Sequence, residues 1–268
     1  MTLAVCATPI GNLDDVTLRV LAEFRGAELV LCEDTRRTKI LLERHGIRAR
    51  TLSYHRHNEA RRTAELLPRL QAGERIALAS DAGLPGVSDP GARLIAAALE
   101  AGLDVTVLPG PSAVETALVA SGLGVGPYRF LGYLPRSEAG LKELWREVAR
   151  RPDAVVAFES PNRLPRTLAT LAAVLPDRPV AVCRELTKRF EEVVRGTASE
   201  SAARFREAPK GEITLVVGEA RARQSAGEDE AIAVVSELVS HGVPRRRAAE
   251  LVAGLTGIAR NRLYQASL

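Results

Sequence analysis

Short runs of consecutive apolar residues alternate through most of the chain with longer stretches in which apolar positions recur every three or four residues. The runs mark strands buried on both faces and the stretches mark helices lying over them, so the pattern predicts an α/β fold with a largely parallel sheet. Leu3 to Ala7 is the first expected strand, and Asp14 or Asp15 is placed to cap a helix on which Leu18, Leu21 and Phe24 share a face. Ala27 to Cys32 predicts a second strand and Thr38 to Arg44 a second helix, with Gly46 placed to close it. Beyond the polar stretch SYHRHNE come a helix over Ala60 to Ala72, strands at Ile76 to Ala79 and Val105 to Leu108, and a helix at Ala92 to Ala101 between them.

The rhythm restarts near Tyr128. Strands are expected at Arg129 to Gly132, Ala154 to Phe158, Val180 to Cys183, Glu192 to Val194 and Ile213 to Val217, with helices around Leu144 and over Leu164 to Leu175. This predicts a second α/β domain with a mixed sheet, and boundaries at 1–120 and 121–220. The polar segment EARARQSAGEDE reads as a linker. After it, Ala231 to Ser240, Pro244 to Gly254 and Arg260 to Ala266 predict a helical module over 229–268, with Gly242 ending its first helix and Pro244 opening its second.

At 268 residues, two domains and a small appendage fit the length, and 46% apolar with 26% charged residues describes a soluble globular protein. The net charge of +4 is too mild to establish an anionic partner, so the placement of the charges has to decide. Cys6, Cys32 and Cys183 are few, odd in number and set in apolar runs, which predicts buried reduced thiols in a cytoplasmic protein. Neither a zinc spacing nor any other metal site is read from the sequence. A basic leader and a run of about 20 apolar residues are both lacking, so no membrane association is expected.

In an open parallel sheet, ligands sit beyond the carboxyl ends of the strands. Four unusual loops leave those ends: TPIGN from Thr8, EDTRRT from Glu33, SDAGLPGVSDPG from Ser80 and PGPSA from Pro109. Glycine at Gly83 lets the backbone approach a ligand, the prolines hold the third loop in shape, and Ser112 is placed to cap a helix at the crevice. The spaced glycines of a dinucleotide fingerprint and the phosphate-loop lysine motif are both missing, which removes most of the case for nicotinamide redox chemistry and nucleotide hydrolysis.

Taken in order, TPIGNLDD, EDTRRT, HRHNE, SDAGLPGVSDPG, LPGPSA, FES and RELTK resemble the class III methyltransferases of tetrapyrrole-methylase type, over essentially the whole chain. The resemblance implies two α/β domains with a small C-terminal helical module, a homodimer, and S-adenosylmethionine bound between the α/β domains. It places cofactor contacts on Ile10, Asp81, Leu84, Ser112 and Ala113, joined by Gly83, and in the second domain on Phe158 and Ile213. It is closest to the branch acting on ribosomal RNA, which implies 2′-O-methylation of a cytidine in 16S ribosomal RNA at the decoding centre, on the RNA or the small subunit. Leu84 departs from the threonine more usual there.

A ribose hydroxyl is a poor nucleophile, so a base or a cation near it would help. Loop position nominates Asp34, His57, Glu59 and Lys188 as catalytic candidates, with Glu33, Asn58, Arg184 and Glu185 beside them. Asp34 and Glu33 have the alternative of binding Arg36 and Arg37 or capping the next helix. Arg36 and Arg37 at the crevice, and Arg245, Arg246, Arg247 and Arg260 in the tail, are the expected RNA contacts. Two other readings stand beside this one: methylation of a tetrapyrrole precursor, which the basic tail disfavours, and a non-catalytic RNA-binding assembly protein, which the intact loops disfavour.

Overall fold

The structure is a computed structural model and describes residues 2–124, 126–220 and 228–268. Residues 1–218 form one compact unit and 219–268 another.

The first unit opens with five strands, β1 (Leu3–Cys6), β2 (Leu29–Cys32), β3 (Thr51–Ser53), β4 (Ile76–Ala79) and β5 (Val105–Leu108). They form a parallel sheet in the order β3-β2-β4-β1-β5. Side chains alternate across a strand, and the core divides accordingly. Ala4, Cys6, Val30, Ala77 and Ala79 pack under α1 (Leu18–Gly26) and α2 (Thr35–Arg44), through Val20, Phe24, Leu41 and Leu42. Leu3, Val5, Leu29, Leu31, Ile76 and Leu78 face the other way, against Leu66 and Leu70 of α3 (Glu59–Gln71) and Leu94 and Ala98 of α4 (Ala92–Glu100). Covering both faces is why these strands read as unbroken apolar runs.

Local details differ from the expectation where polar side chains choose among backbone partners. Thr17 caps α1 by accepting from the Val20 amide, while Asp14 and Asp15 lie in a short 3-10 turn capped by Asn12. The second helix starts earlier than its apolar period implies, at Thr35, because Asp34 caps it. Strand β3 was not expected, being three half-buried residues at a sheet edge.

The second sheet contains β6 (Tyr128–Tyr133), β7 (Ala154–Glu159), β8 (Pro179–Arg184), β9 (Glu192–Thr197) and β10 (Ile213–Val217), in the order β6-β7-β10-β8-β9. Strands β6 and β7 run parallel, while β10 is antiparallel to both β7 and β8, and β8 to β9. The sheet is therefore mixed. One face packs on α6 (Glu138–Ala149), α7 (Leu164–Val174) and α8 (Ala198–Arg204), around the fully buried Trp145. The other face, through Val156, Ala181, Cys183 and Val216, packs on Val114 and Ala117 of α5 (Ala113–Ser121) and on Ile10. Helix α5 leaves the first sheet yet packs on the second, and the boundary expected at residue 120 falls in its last turn.

Helix α8 is short and its apolar content low, so its start depends on a capping box. Thr197 accepts from the Glu200 amide, and the Glu200 carboxylate accepts from the Thr197 amide at 2.8 Å. Thr197→Ala is expected to cost about 1 kcal/mol, read from urea unfolding, because the Glu200 amide loses its acceptor.

The second unit contains α9 (Glu228–Ser240), α10 (Arg245–Thr256) and α11 (Arg260–Ala266), packed around Ala231, Val235, Ala248, Ala249, Val252 and Leu263. The segment read as a linker lies largely outside the described residues, and its last three residues form the first turn of α9. Among the described residues no helix is long and apolar enough to cross a membrane. All three cysteines are buried thiols, and burial pushes Cys6 up to about 12 and Cys183 to about 11, too high for ready thiolate chemistry.

Candidate active site

The carboxyl ends of the first sheet open onto a cleft of about 540 Å³ whose opposite wall comes from the second sheet. The first side contributes Ile10, Glu33, Asp81, Gly83, Leu84, Asp89, Ser112 and Ala113, and the second Phe130, Tyr133, Phe158 and Ile213. All eight positions expected to touch the cofactor line this one cavity.

Each wall has a local cause. The loop after β1 and the loop after β4 are stitched together: the Thr8 amide donates to the Gly83 carbonyl at 2.9 Å, the Gly83 amide to the Thr8 carbonyl at 3.0 Å, and the Thr8 hydroxyl to the Ser80 carbonyl at 3.0 Å. Gly83 has φ of 76°, in the left-handed region, and a Cβ added there would lie 3.8 Å or more from the surrounding protein. The space such an atom would enter is the cleft itself. Ser112 sits at the N-cap of α5, but its hydroxyl donates to the Glu115 carboxylate and makes no cap hydrogen bond to the helix amides. This corrects the expected role of that side chain.

Across the cleft, Phe130 and Tyr133 lie edge-on to Phe158, with ring centres 5.0 and 5.7 Å away. The pairing of β6 with β7 slips between Phe130 and Tyr133, where Gly132 takes φ of 64°, and the resulting bulge re-aims Tyr133. Neither aromatic was nominated from the sequence. The available signal was the glycine inside the apolar run FLGY.

The catalytic nominees are scattered. Asp34 caps α2 and pairs with Arg36 at 2.7 Å, and hydrogen bonds from the Arg36 side chain and amide hold its carboxyl down at about 2. Glu59 begins α3 and pairs with Arg93 at 3.8 Å. His57 is exposed, edge-on to His55 at 6.0 Å, and is absent from the cleft wall. Lys188 lines an adjoining pocket of about 260 Å³ that shares Ile10, Arg37, Asp81, Ala82 and Glu212 with the cleft. Burial opposes its charge, yet Glu185 and Glu212, each 2.9 Å from Nζ, hold its pKa above the usual lysine value.

The Lys188 loop is strained, with Glu185 and Thr187 at positive φ of 53° and 64°. Its neighbours fix it: Thr187 Oγ1 accepts from the Asn12 amide at 3.0 Å, and Glu185 packs so tightly on Gly211 that a Cβ there would meet it at 2.5 Å. Of the expected RNA contacts at the crevice, Arg37 lies 3.5 Å from Asp81 on the cleft wall, and Arg36 is an exposed partner of Asp34.

The cleft's electrostatics are those of crowded carboxylates. Asp81 accepts from the Asp34 amide at 3.0 Å and faces Arg37. Burial, then the charge of Asp81, raises Glu33 above the ordinary carboxylate value. Burial, then Glu33 and Asp81, pushes Asp89 up to about 6.

Two linked sheets, with a ligand-sized cleft between their loops, define a methylase of the tetrapyrrole type: residues 2–202 match the family Tetrapyrrole (Corrin/Porphyrin) Methylases. Residues 225–268 match the RsmI C-terminal HTH domain. The chain belongs to the ribosomal RNA small subunit methyltransferase I family of these methylases. It is 44% identical over 268 residues to a ribosomal RNA small subunit methyltransferase I of Micromonospora olivasterospora, covering 98% of this chain and 85% of that one. The fold is also that of the methyltransferase CobJ, at 21% identity and a TM-score of 0.64, covering 81% and 94% of the two chains. A uroporphyrin-III C-methyltransferase from Thermus thermophilus, complexed with S-adenosyl homocysteine, superposes with a TM-score of 0.57 at 18% identity over 81% of this chain and 97% of that one.

The family's methyl donor is S-adenosylmethionine, and the residues present fit it. The volume suits a nucleoside carrying an amino-acid arm. Leu84, Val114, Phe130 and Phe158 offer apolar surface for a flat base, Gly83 leaves its backbone approachable, and Glu33, Asp81 and Asp89 give the negative field a sulfonium and an ammonium require.

Proposed function

We propose that the chain methylates the 2′-hydroxyl of a cytidine in 16S ribosomal RNA at the decoding centre, using S-adenosylmethionine, as a cytoplasmic homodimer acting on the RNA or the small subunit. The observation that carries this reading is the 98% coverage of the chain at 44% identity to a relative named for ribosomal RNA small subunit methylation. A bound sulfonium supplies an already activated methyl carbon. The chain's part is to hold the donor against Gly83, Phe158 and Ile213, exclude water, and present the acceptor hydroxyl in line. Exposed apolar side chains at Leu99, Val107 and Val119 supply surface for a second copy to bury. Mapping 2′-O-methylation along 16S ribosomal RNA with and without the protein tests the assignment, and a map unchanged by the protein sinks it.

The helical tail supports an anionic substrate. Arg245, Arg246 and Arg247 crowd the first turn of α10, where the helix dipole disfavours positive charge. Arg246 is exposed, Arg247 pairs with Glu250 at 2.9 Å on an exposed face, and Arg260 begins α11. Phosphates placed there would meet both the guanidinium groups and the free helix amides. Changing Arg245, Arg246 and Arg247 together to glutamine is expected to weaken RNA binding and to lower the slope of log affinity against log salt by roughly 1 to 2, at about 0.7 per phosphate neutralised. S-adenosylhomocysteine affinity should stay at the parental value. An unchanged slope would make these arginines structural.

A further inference from the structure

The cleft carries two carboxylates that the protein leaves unsatisfied. Asp34, Glu59, Glu185 and Glu212 are each taken up by a cation, and Asp81 by an amide and Arg37. Among the described residues, neither Glu33 nor Asp89 has a side-chain hydrogen bond or an ion pair, although both line the cleft. They arrive from different elements: Glu33 follows β2, and Asp89 lies in the loop between β4 and α4. A half-buried carboxylate without a partner costs stability, and a pair of them in a cleft marks a functional site.

We propose that Asp89 takes the proton of the acceptor hydroxyl during methyl transfer, and that Glu33 beside it keeps that carboxylate basic. The assignment rests on the reading of the chain as a methyltransferase acting on a ribose hydroxyl. The acceptor oxygen forms its bond to the methyl carbon as the carbon–sulfur bond breaks, and that bonding pair stays on sulfur. The electron pair of the O–H bond stays on oxygen, and the proton passes to the Asp89 carboxylate. The sulfonium charge and the carboxylate charge disappear together, so the step creates no net charge in the cleft.

Electrostatics agree with this geometry. Burial, Glu33 and Asp81 hold Asp89 at about 6, so it is mostly ionised at neutral pH yet binds a proton more firmly than an ordinary carboxylate. The other groups whose charges act on Glu33 are His55 from the segment after β3, Arg37 of α2, and Arg56, while both carboxylates help to raise the phenol of Tyr133 on β6, which burial raises first. His55 is itself half-buried, with Nδ1 unpartnered, and its charged form would lower Glu33. Asp34, His57 and Glu59 are the weaker choices, since their side chains are paired or turned away from the cleft.

The test compares the parent with Asp89→Asn and Glu33→Gln in two measurements. Carbon-13 NMR of aspartate carboxyls in the cofactor-free protein should show one group titrating near 6 in the parent, absent in Asp89→Asn and moved to lower pH in Glu33→Gln, because removing a neighbouring negative charge makes the proton easier to lose. Single-turnover methylation of unmethylated small subunits, measured at saturating S-adenosylmethionine, should fall roughly a hundredfold or more in Asp89→Asn. In Glu33→Gln the acid limb of the rate profile should move to lower pH. A parent that leaves the subunits unmethylated overturns the RNA reading, and the assignment with it. Parental activity with Asp89→Asn within about threefold of it overturns the assignment alone. If Asp89→Asn loses its cofactor, Glu33→Gln decides: a shifted limb supports the role and an unmoved limb rejects it.

Discussion

Gly83→Val is expected to lower S-adenosylhomocysteine affinity roughly a hundredfold, equivalent to about 3 kcal/mol, while the protein remains folded. Two effects act in the same direction. Valine is poorly suited to φ of 76°, and its branched side chain would project into the cleft rather than into protein, since the nearest protein atoms to a Cβ lie at 3.8 and 3.9 Å. Forcing the backbone away from this conformation would also strain the paired hydrogen bonds between Gly83 and Thr8 that join two of the cleft's loops. Calorimetric titration measures the first consequence and a thermal melt the second. Parental affinity in a folded variant would remove this loop from the cofactor site.

Arg163→Ala should produce the largest loss of stability among single changes near the site, about 3 to 5 kcal/mol, because it strands a buried carboxylate. The Glu159 side chain is fully buried and accepts from the Ser160 amide at 2.7 Å and the Thr167 hydroxyl at 2.6 Å, with Arg163 2.9 Å away as its counter-ion. Arg163 also donates to the Leu134 and Pro135 carbonyls, at 2.7 and 3.2 Å, so it ties the exit of β6 to the start of α7. Ser160 and Pro161 lie on the cleft wall, and cofactor affinity should fall as well. Adding Glu159→Gln to Arg163→Ala should recover part of the loss, since a neutral amide tolerates burial better than a charge. No recovery would mean that packing, rather than the stranded charge, carries the cost. Chemical denaturation of the three variants provides the comparison.

The core strands were legible because burial on both faces leaves a signature that survives in one dimension: Ile76–Ala79 and Ile213–Val217 lie where apolar runs place them. The short edge strand β3 has no such signature, and α8 depends on a capping box more than on an apolar stripe. The cofactor wall was readable from glycine and proline loops at strand ends, together with a resemblance spanning the chain. Catalytic side chains were harder, because adjacent residues after a strand can point in opposite directions. Asp34 turns to cap α2 while its neighbour Glu33 faces the cleft, and no pattern in EDTRRT separates the two. Tyr133 depends on a bulge whose register slip only the paired strands reveal.

The last strand of the larger unit is a central one. Strand β10 lies between β7 and β8, so the second sheet has a gap in its middle until residues Ile213–Val217 exist, whereas the first sheet is complete in sequence by Leu108. During synthesis, which proceeds from the N-terminus, the parallel half can therefore fold while the mixed half is still waiting for its central strand. The cleft needs both, so the nascent chain acquires a place for its methyl donor only near the end of the unit. A polypeptide arrested before Ile213 would expose two unpaired strand edges, at β7 and β8, each a template for pairing with another chain.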